Sequence, residues 1–140
     1  MTEQELIKEA MKAKQFSYAP YSGFHVGAAL LTKSQVVYTG CNIENAAFTP
    51  TNCAERTAVF KAISEGEREF EAIAVVGDGE GLLAPCGVCR QVLTEFVNPK
   101  KFVVIMAGSS GKYEKKTLEE LFPSSFSSAD LTLSDSSERL

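Results

Sequence analysis

Apolar residues recur at Leu6, Ile7, Ala10, Met11 and Ala13, the three-and-four spacing of one helical face. Thr2 and Glu5 have capping-box spacing ahead of it, and Pro20 sets a point before which the helix must end. Residues 24–31 and 36–40 are instead rich in apolar and β-branched side chains, separated by a polar break at 32–35, which predicts a β-hairpin. After a loop over 42–52, helical spacing returns beyond Cys53 at Ala58, Val59, Ala62 and Ile63 and stops at Gly66. Residues 72–76 predict an apolar strand, the Gly-rich run 77–85 a loop, 86–96 a helix through Val88, Val92, Leu93 and Phe96, and 102–107 another buried strand. A turn at 108–111 precedes a short polar strand, and Thr117 with Glu120 repeats the capping-box spacing for a small last helix.

Alternation of strand and helix over 36–107 implies crossover connections, hence parallel strands in one sheet covered by helices. The expected architecture is an α/β sandwich with a hairpin at one end. With 140 residues and no internal repeat or linker, the chain reads as a single domain over 1–133, followed by a Ser-rich, mobile tail over 134–140.

Composition narrows the partners. Hydrophobic residues at 44% and charged residues at 23% allow an ordinary buried core. Fourteen basic against eighteen acidic residues leave a net charge of −4, which argues against a long nucleic acid. Glu3, Glu5, Lys8, Glu9 and Lys12 interrupt the N-terminal apolar positions, unlike a signal peptide, and no run approaches the ~18 apolar residues of a membrane span. A soluble protein of the cytoplasm is expected, where thiols stay reduced and four cysteines point to metal or catalysis rather than disulfides.

Cys86-Gly87-Val88-Cys89 opens a predicted helix, so its two thiols share a face and can bind one tetrahedral metal. The pair alone fits half a structural zinc site or a dithiol redox couple equally well. Cys53 stands at another predicted helix start, with Glu55 two residues on. Side chains at i and i+2 diverge in mid-helix, so these two can serve one centre only over the end of the helix. Three protein ligands would leave the fourth zinc position open, the mark of a catalytic site. Filling that position with Cys41 gives the competing reading, a closed four-thiolate structural module, which leaves Glu55 without a role. Otherwise Cys41 is a buried structural thiol.

Joined as C-A-E and P-C-x-x-C, the motifs match the H-x-E…P-C-x-x-C pattern of zinc deaminases with Cys in place of His. T-N-C-A-E-R-T-A at 51–58 and A-P-C-G-V-C-R-Q at 84–91 resemble the small, homotetrameric cytidine deaminases of the cytidine and deoxycytidylate deaminase superfamily. Y-A-P-Y-S-G-F at 18–24, V-G-A-A-L at 26–30, G-C-N-I-E-N-A at 40–46 and P-S-S-F at 123–126 extend the resemblance from the first helix to the last. It implies a three-layer α/β/α sandwich around a mixed five-stranded sheet. It also implies one Zn2+ per subunit on Cys53, Cys86 and Cys89, with Glu55 as the proton shuttle. The implied reaction, in pyrimidine salvage, is hydrolysis of cytidine and 2'-deoxycytidine to uridine and 2'-deoxyuridine with release of ammonia. A zinc-activated hydroxide would attack C4 while Glu55 protonates N3.

Three thiolates make the site more anionic than one His with two Cys, and Arg56 together with two helix N-termini would offset that charge. By the same resemblance Asn42 and Glu44 bind the ribose hydroxyls, Phe24 packs on the pyrimidine or sugar, and the Ala54 N–H meets the base carbonyl. A site built for sugar hydroxyls rejects the free base, and the ribose motif argues against an antibiotic or polynucleotide substrate. Phe48 and Phe126 are implied contacts from neighbouring subunits. Many members carry Tyr at the position of Phe48, so the hydrogen bond from that hydroxyl is missing here. Arg90 is read as a surface ion-pair residue.

Overall fold

The computed structural model describes residues 1–131, so the tail expected over 134–140 lies outside the described residues. Among the described residues, no helix is long and apolar enough to cross a membrane. The first helix, α1 (Glu3–Lys14), is capped as its spacing predicts: the Thr2 hydroxyl accepts from the Glu5 N–H at 3.1 Å and the Glu5 carboxylate accepts from the Thr2 N–H at 2.9 Å.

The hairpin strands are β1 (Gly27–Thr32) and β2 (Val37–Cys41), joined through Gln35 in the left-handed region. Next come α2 (Ala54–Ser64), β3 (Phe70–Val76), α3 (Gly87–Phe96), β4 (Val103–Ala107), β5 (Tyr113–Thr117) and two single-turn helices, α4 (Leu118–Leu121) and α5 (Ser128–Leu131). They build one mixed five-stranded sheet in the order β2-β1-β3-β4-β5, where β3 and β4 are parallel and the other neighbours antiparallel. Because β2 and β3 both run against β1, they point the same way, and the connection through α2 is the crossover that the alternation implied.

Period-two burial divides the core. Leu30, Ile73, Val75 and Val104 face α2 and α3 with Ala58, Val59 and Leu93, while Ala29, Leu31, Ala74, Val76 and Ile105 face Leu6, Ile7 and Ala10 of α1. The result is the α/β/α sandwich.

The first strand is shorter than its apolar pattern. Residues 24–26 leave the ladder because side chains replace it: Asn42 Nδ2 donates to the Phe24 carbonyl at 2.8 Å, Asn42 Oδ1 accepts from the Val26 N–H at 2.9 Å, and Asp78 accepts from the His25 N–H at 2.7 Å. The Val26 carbonyl still accepts from the Asn42 backbone N–H at 3.2 Å.

Gly40 fixes how closely α2 approaches the sheet. A Cβ built there would lie 2.5 Å from both the Ala54 carbonyl oxygen and the Ala58 nitrogen, backbone atoms that cannot swing aside. Gly40→Ala is expected to cost about 3 kcal/mol, the upper range for overpacking, read as a lower denaturant midpoint at unchanged slope. An unchanged midpoint would show that α2 is not held against β2 at this point.

Candidate active site

Both crossovers leave the carboxyl ends of like-directed strands, β2 and β3, and so bring the starts of α2 and α3 to one edge of the sheet, where α/β proteins place their ligands. Each helix has a cysteine at its N-cap, Cys53 for α2 and Cys86 for α3, and neither side chain makes a capping hydrogen bond. Those thiols are free for another partner. Cys89, in the first turn of α3, is fully buried.

The Sγ atoms of Cys53, Cys86 and Cys89 all lie within 4.8 Å of one another. The Cys53–Cys86 separation is 3.7 Å and the Cys86–Cys89 separation 3.4 Å. A tetrahedral zinc bonded to sulfur at about 2.3 Å would space its sulfurs ~3.8 Å apart, so the donor set fits zinc. Cys41, at the end of β2, stands outside this group among the described residues, and burial pushes its thiol up. That geometry speaks against a closed four-thiolate site.

Charge compensation is built in. Arg56 Nη2 donates to Cys53 Sγ at 3.3 Å, and Arg56 Nε is buried without a protein partner. Hydrogen bonding with Cys89, helped by Arg56, holds the Cys53 thiol far below its ordinary range, at about 5. Cys89 is pushed upward by that same hydrogen bond and by burial. Cys53 therefore ionises readily, whereas Cys89 gives up its proton only to a cation among the sulfurs.

Glu55 is 4% exposed. Burial raises its carboxyl to about 7; a hydrogen bond from its own backbone N–H acts in the opposite direction. With Cys53, Ala54, Cys86, Asn42 and Leu83 it lines a cavity of about 180 Å³. Thr51 is shared with an adjoining cavity of about 310 Å³ that Glu44, Tyr21, Ser22 and Phe48 line.

Asn42 and Glu44 are both tied into the scaffold. Beyond its bonds to the 24–26 segment, Asn42 Oδ1 accepts from the Ser17 hydroxyl, which leaves one N–H of the amide unspent. The Glu44 carboxylate accepts from the Tyr21 and Ser22 N–H groups at 2.9 and 3.0 Å and from the Ser22 hydroxyl. Phe24 leans on the bare backbone of Gly77, where a Cβ would meet its Cζ at 2.8 Å. Phe48, held with φ at 61°, is 70% exposed, and Phe126 is 56% exposed; neither Phe24 nor Phe126 lines the two cavities.

Two features differ from the sequence reading. Arg90 makes no ion pair among the described residues; its guanidinium serves two backbone carbonyls. Val26, Thr51, Asn52 and Leu83 line the cavity unanticipated, although Thr51 and Asn52 directly precede Cys53 and Val26 directly precedes β1.

Residues 1–106 match the family model described as the cytidine and deoxycytidylate deaminase zinc-binding region. Cytidine deaminase of Sporosarcina psychrophila is 51% identical over 132 residues, covering 94% of this chain and 96% of its own. Cytidine deaminase of Halalkalibacterium halodurans is 50% identical over 131 residues, covering 94% and 98%. The crystal structure of cytidine deaminase from Burkholderia pseudomallei superposes with a TM-score of 0.87 at 47% identity, covering 90% of this chain and all of that one. With a thiol cluster suited to a metal beside a buried carboxyl at the helix starts, and with these matches over most of its length, the chain belongs to the cytidine and deoxycytidylate deaminase zinc-binding family.

Proposed function

We propose that this protein hydrolyses cytidine and 2'-deoxycytidine to uridine and 2'-deoxyuridine, releasing ammonia, as an enzyme of pyrimidine salvage in the cytoplasm. One observation carries this most directly: Glu55, Cys53 and Cys86 share a cavity, with the third thiol, Cys89, buried beside them. Cys53, Cys86 and Cys89 would hold one zinc ion per subunit. Zinc bound there supplies the Lewis acidity that makes water nucleophilic at neutral pH.

The chain's own groups do the rest. Glu55 takes one proton of the attacking water and delivers it to N3 of the pyrimidine, then takes the second from the new hydroxyl on C4 and gives it to the C4 amino group, which leaves as ammonia as the C4 carbonyl forms. Water supplies the oxygen that ends on C4, so the atoms balance. Arg56 draws charge from the Cys53 sulfur. The Ala54 N–H, in the first turn of α2 and without an intrahelical acceptor, donates to the base carbonyl. The unspent Asn42 N–H and the remaining lone pair of Glu44 take sugar hydroxyls. Phe24 packs on the nucleoside, while Phe48 and Phe126 meet neighbouring subunits of a homotetramer. Their high exposure in the single chain supports that assembly.

Purified protein incubated with cytidine should consume the cytosine chromophore in the ultraviolet and yield uridine and ammonia in equal amounts. Cytosine within a short oligonucleotide should react far more slowly. Faster turnover of the oligonucleotide, or untouched cytidine in zinc-loaded protein, would overturn the assignment.

A further inference from the structure

Resting on the zinc reading above, we propose that Arg90 is a positioning residue for the metal ligand Cys86, clamping the Pro85 carbonyl to the fixed end of α4. The peptide that carries Cys86 arrives from 77–85, a stretch with three glycines and no regular secondary structure. Gly77, Gly79 and Gly81 leave the first half of that backbone with little conformational preference of its own. Pro85 also lacks an N–H with which to anchor itself. Something outside the loop must fix the direction in which Cys86 enters α3.

Arg90 is placed for that task. Its Nε donates to the Pro85 carbonyl at 2.8 Å, and its Nη1 donates to the Leu121 carbonyl at 2.9 Å. The planar fork of a guanidinium holds both oxygens in a set relation, which a flexible ammonium cannot do. Leu121 is a firm anchor. It closes α4, whose Leu118 is fully buried, and α4 is itself tied down by the Leu118 N–H on the Phe102 carbonyl and the Glu119 N–H on the Pro99 carbonyl, both at 3.0 Å. One guanidinium therefore spans a rigid point of the core and the residue just before a zinc ligand. Arg90 also belongs to the helix that carries Cys89, and its N–H accepts no freedom either, donating to the Cys86 carbonyl at 3.0 Å. Gln91 adds a parallel tie, its Nε2 donating to the Phe126 carbonyl at 2.8 Å, so the helix bearing two thiols holds the whole 121–126 turn.

The clamp is tested on the zinc-loaded enzyme with Arg90→Ala and Arg90→Lys. Three quantities are read: the rate at which zinc passes to a chromogenic chelator, the melting temperature with and without zinc, and kcat with KM for cytidine. Groups that orient metal ligands contribute about 10- to 100-fold to metal affinity or activity. Arg90→Ala should accordingly release zinc at least tenfold faster, lose part of the zinc-dependent rise in Tm, and lower kcat while KM stays close to wild type. Arg90→Lys should fall between, because it keeps the charge but cannot span both carbonyls. Equal loss of Tm in the metal-free and zinc-loaded forms, with unchanged zinc release, would reduce Arg90 to a general structural role and overturn the proposal. Should Arg90→Ala fail to fold, the lysine variant carries the same comparison. Wild type that retains zinc yet leaves cytidine untouched fails the proposed function alone, since zinc release still reads the clamp.

Discussion

Glu55→Gln is expected to lower kcat for cytidine by about 10⁴-fold, the upper range for a general acid–base group, because the proposed mechanism gives one carboxyl several proton transfers in each turnover. The amide matches the carboxyl in size and can still accept from the residue's own N–H, so the cavity keeps its shape. It cannot take up or return a proton. Zinc content should remain at one per chain, since the thiols of Cys53, Cys86 and Cys89 are untouched. Metal-free stability should not fall, because Gln relieves the cost of keeping an ionisable group at 4% exposure. Steady-state kinetics beside metal analysis and thermal melts of the same preparations check all three. A variant with zinc and substantial turnover would move the proton shuttle to another residue.

The parts of the site legible in the sequence are those with local causes. Cys53 and Glu55 cannot serve one centre from mid-helix, so their i, i+2 spacing already required a helix end, and the structure has Cys53 at the N-cap of α2. The covered sheet followed from the alternation of strand and helix over 36–107, and in the structure Ala28 and Leu30 face one helix layer and Ala29 and Leu31 the other. Long-range hydrogen bonds were not legible. Nothing local in Phe24 or Val26 announces that the side chain of Asn42 will replace a strand partner. Arg90 likewise looks like a surface cation until the Leu121 carbonyl, 31 residues away, is brought against it. The single turn α5 escaped for a weaker reason: it has four residues, buries none of them, and rests on the Ser127 N–H donating to Asp130.

Cys89→Ala is expected to abolish zinc retention, and activity should fall below that of Glu55→Gln. In the proposed mechanism, removing the Glu55 carboxyl leaves the Lewis acid in place, whereas removing Cys89 takes away the group on which the nucleophile depends. Cys89 is the fully buried member of the cluster, so water does not readily replace its sulfur as a ligand. Two thiols would remain, and a two-ligand site cannot hold zinc against dialysis with a chelator. The fold should survive, because Ala is close to Cys in size and the lost sulfur leaves a small void. A ligand that binds only the folded state raises stability through its occupancy. The variant should therefore melt near the temperature of metal-free wild type and gain nothing when zinc is added. Cys41→Ala is the matched control, since that thiol stands outside the cluster, and it should keep both zinc and turnover. If Cys89→Ala retained one zinc and its rise in Tm while Cys41→Ala lost both, Cys41 and not Cys89 would be the third ligand; loss of zinc from both variants would point instead to a closed four-thiolate site with no position for water.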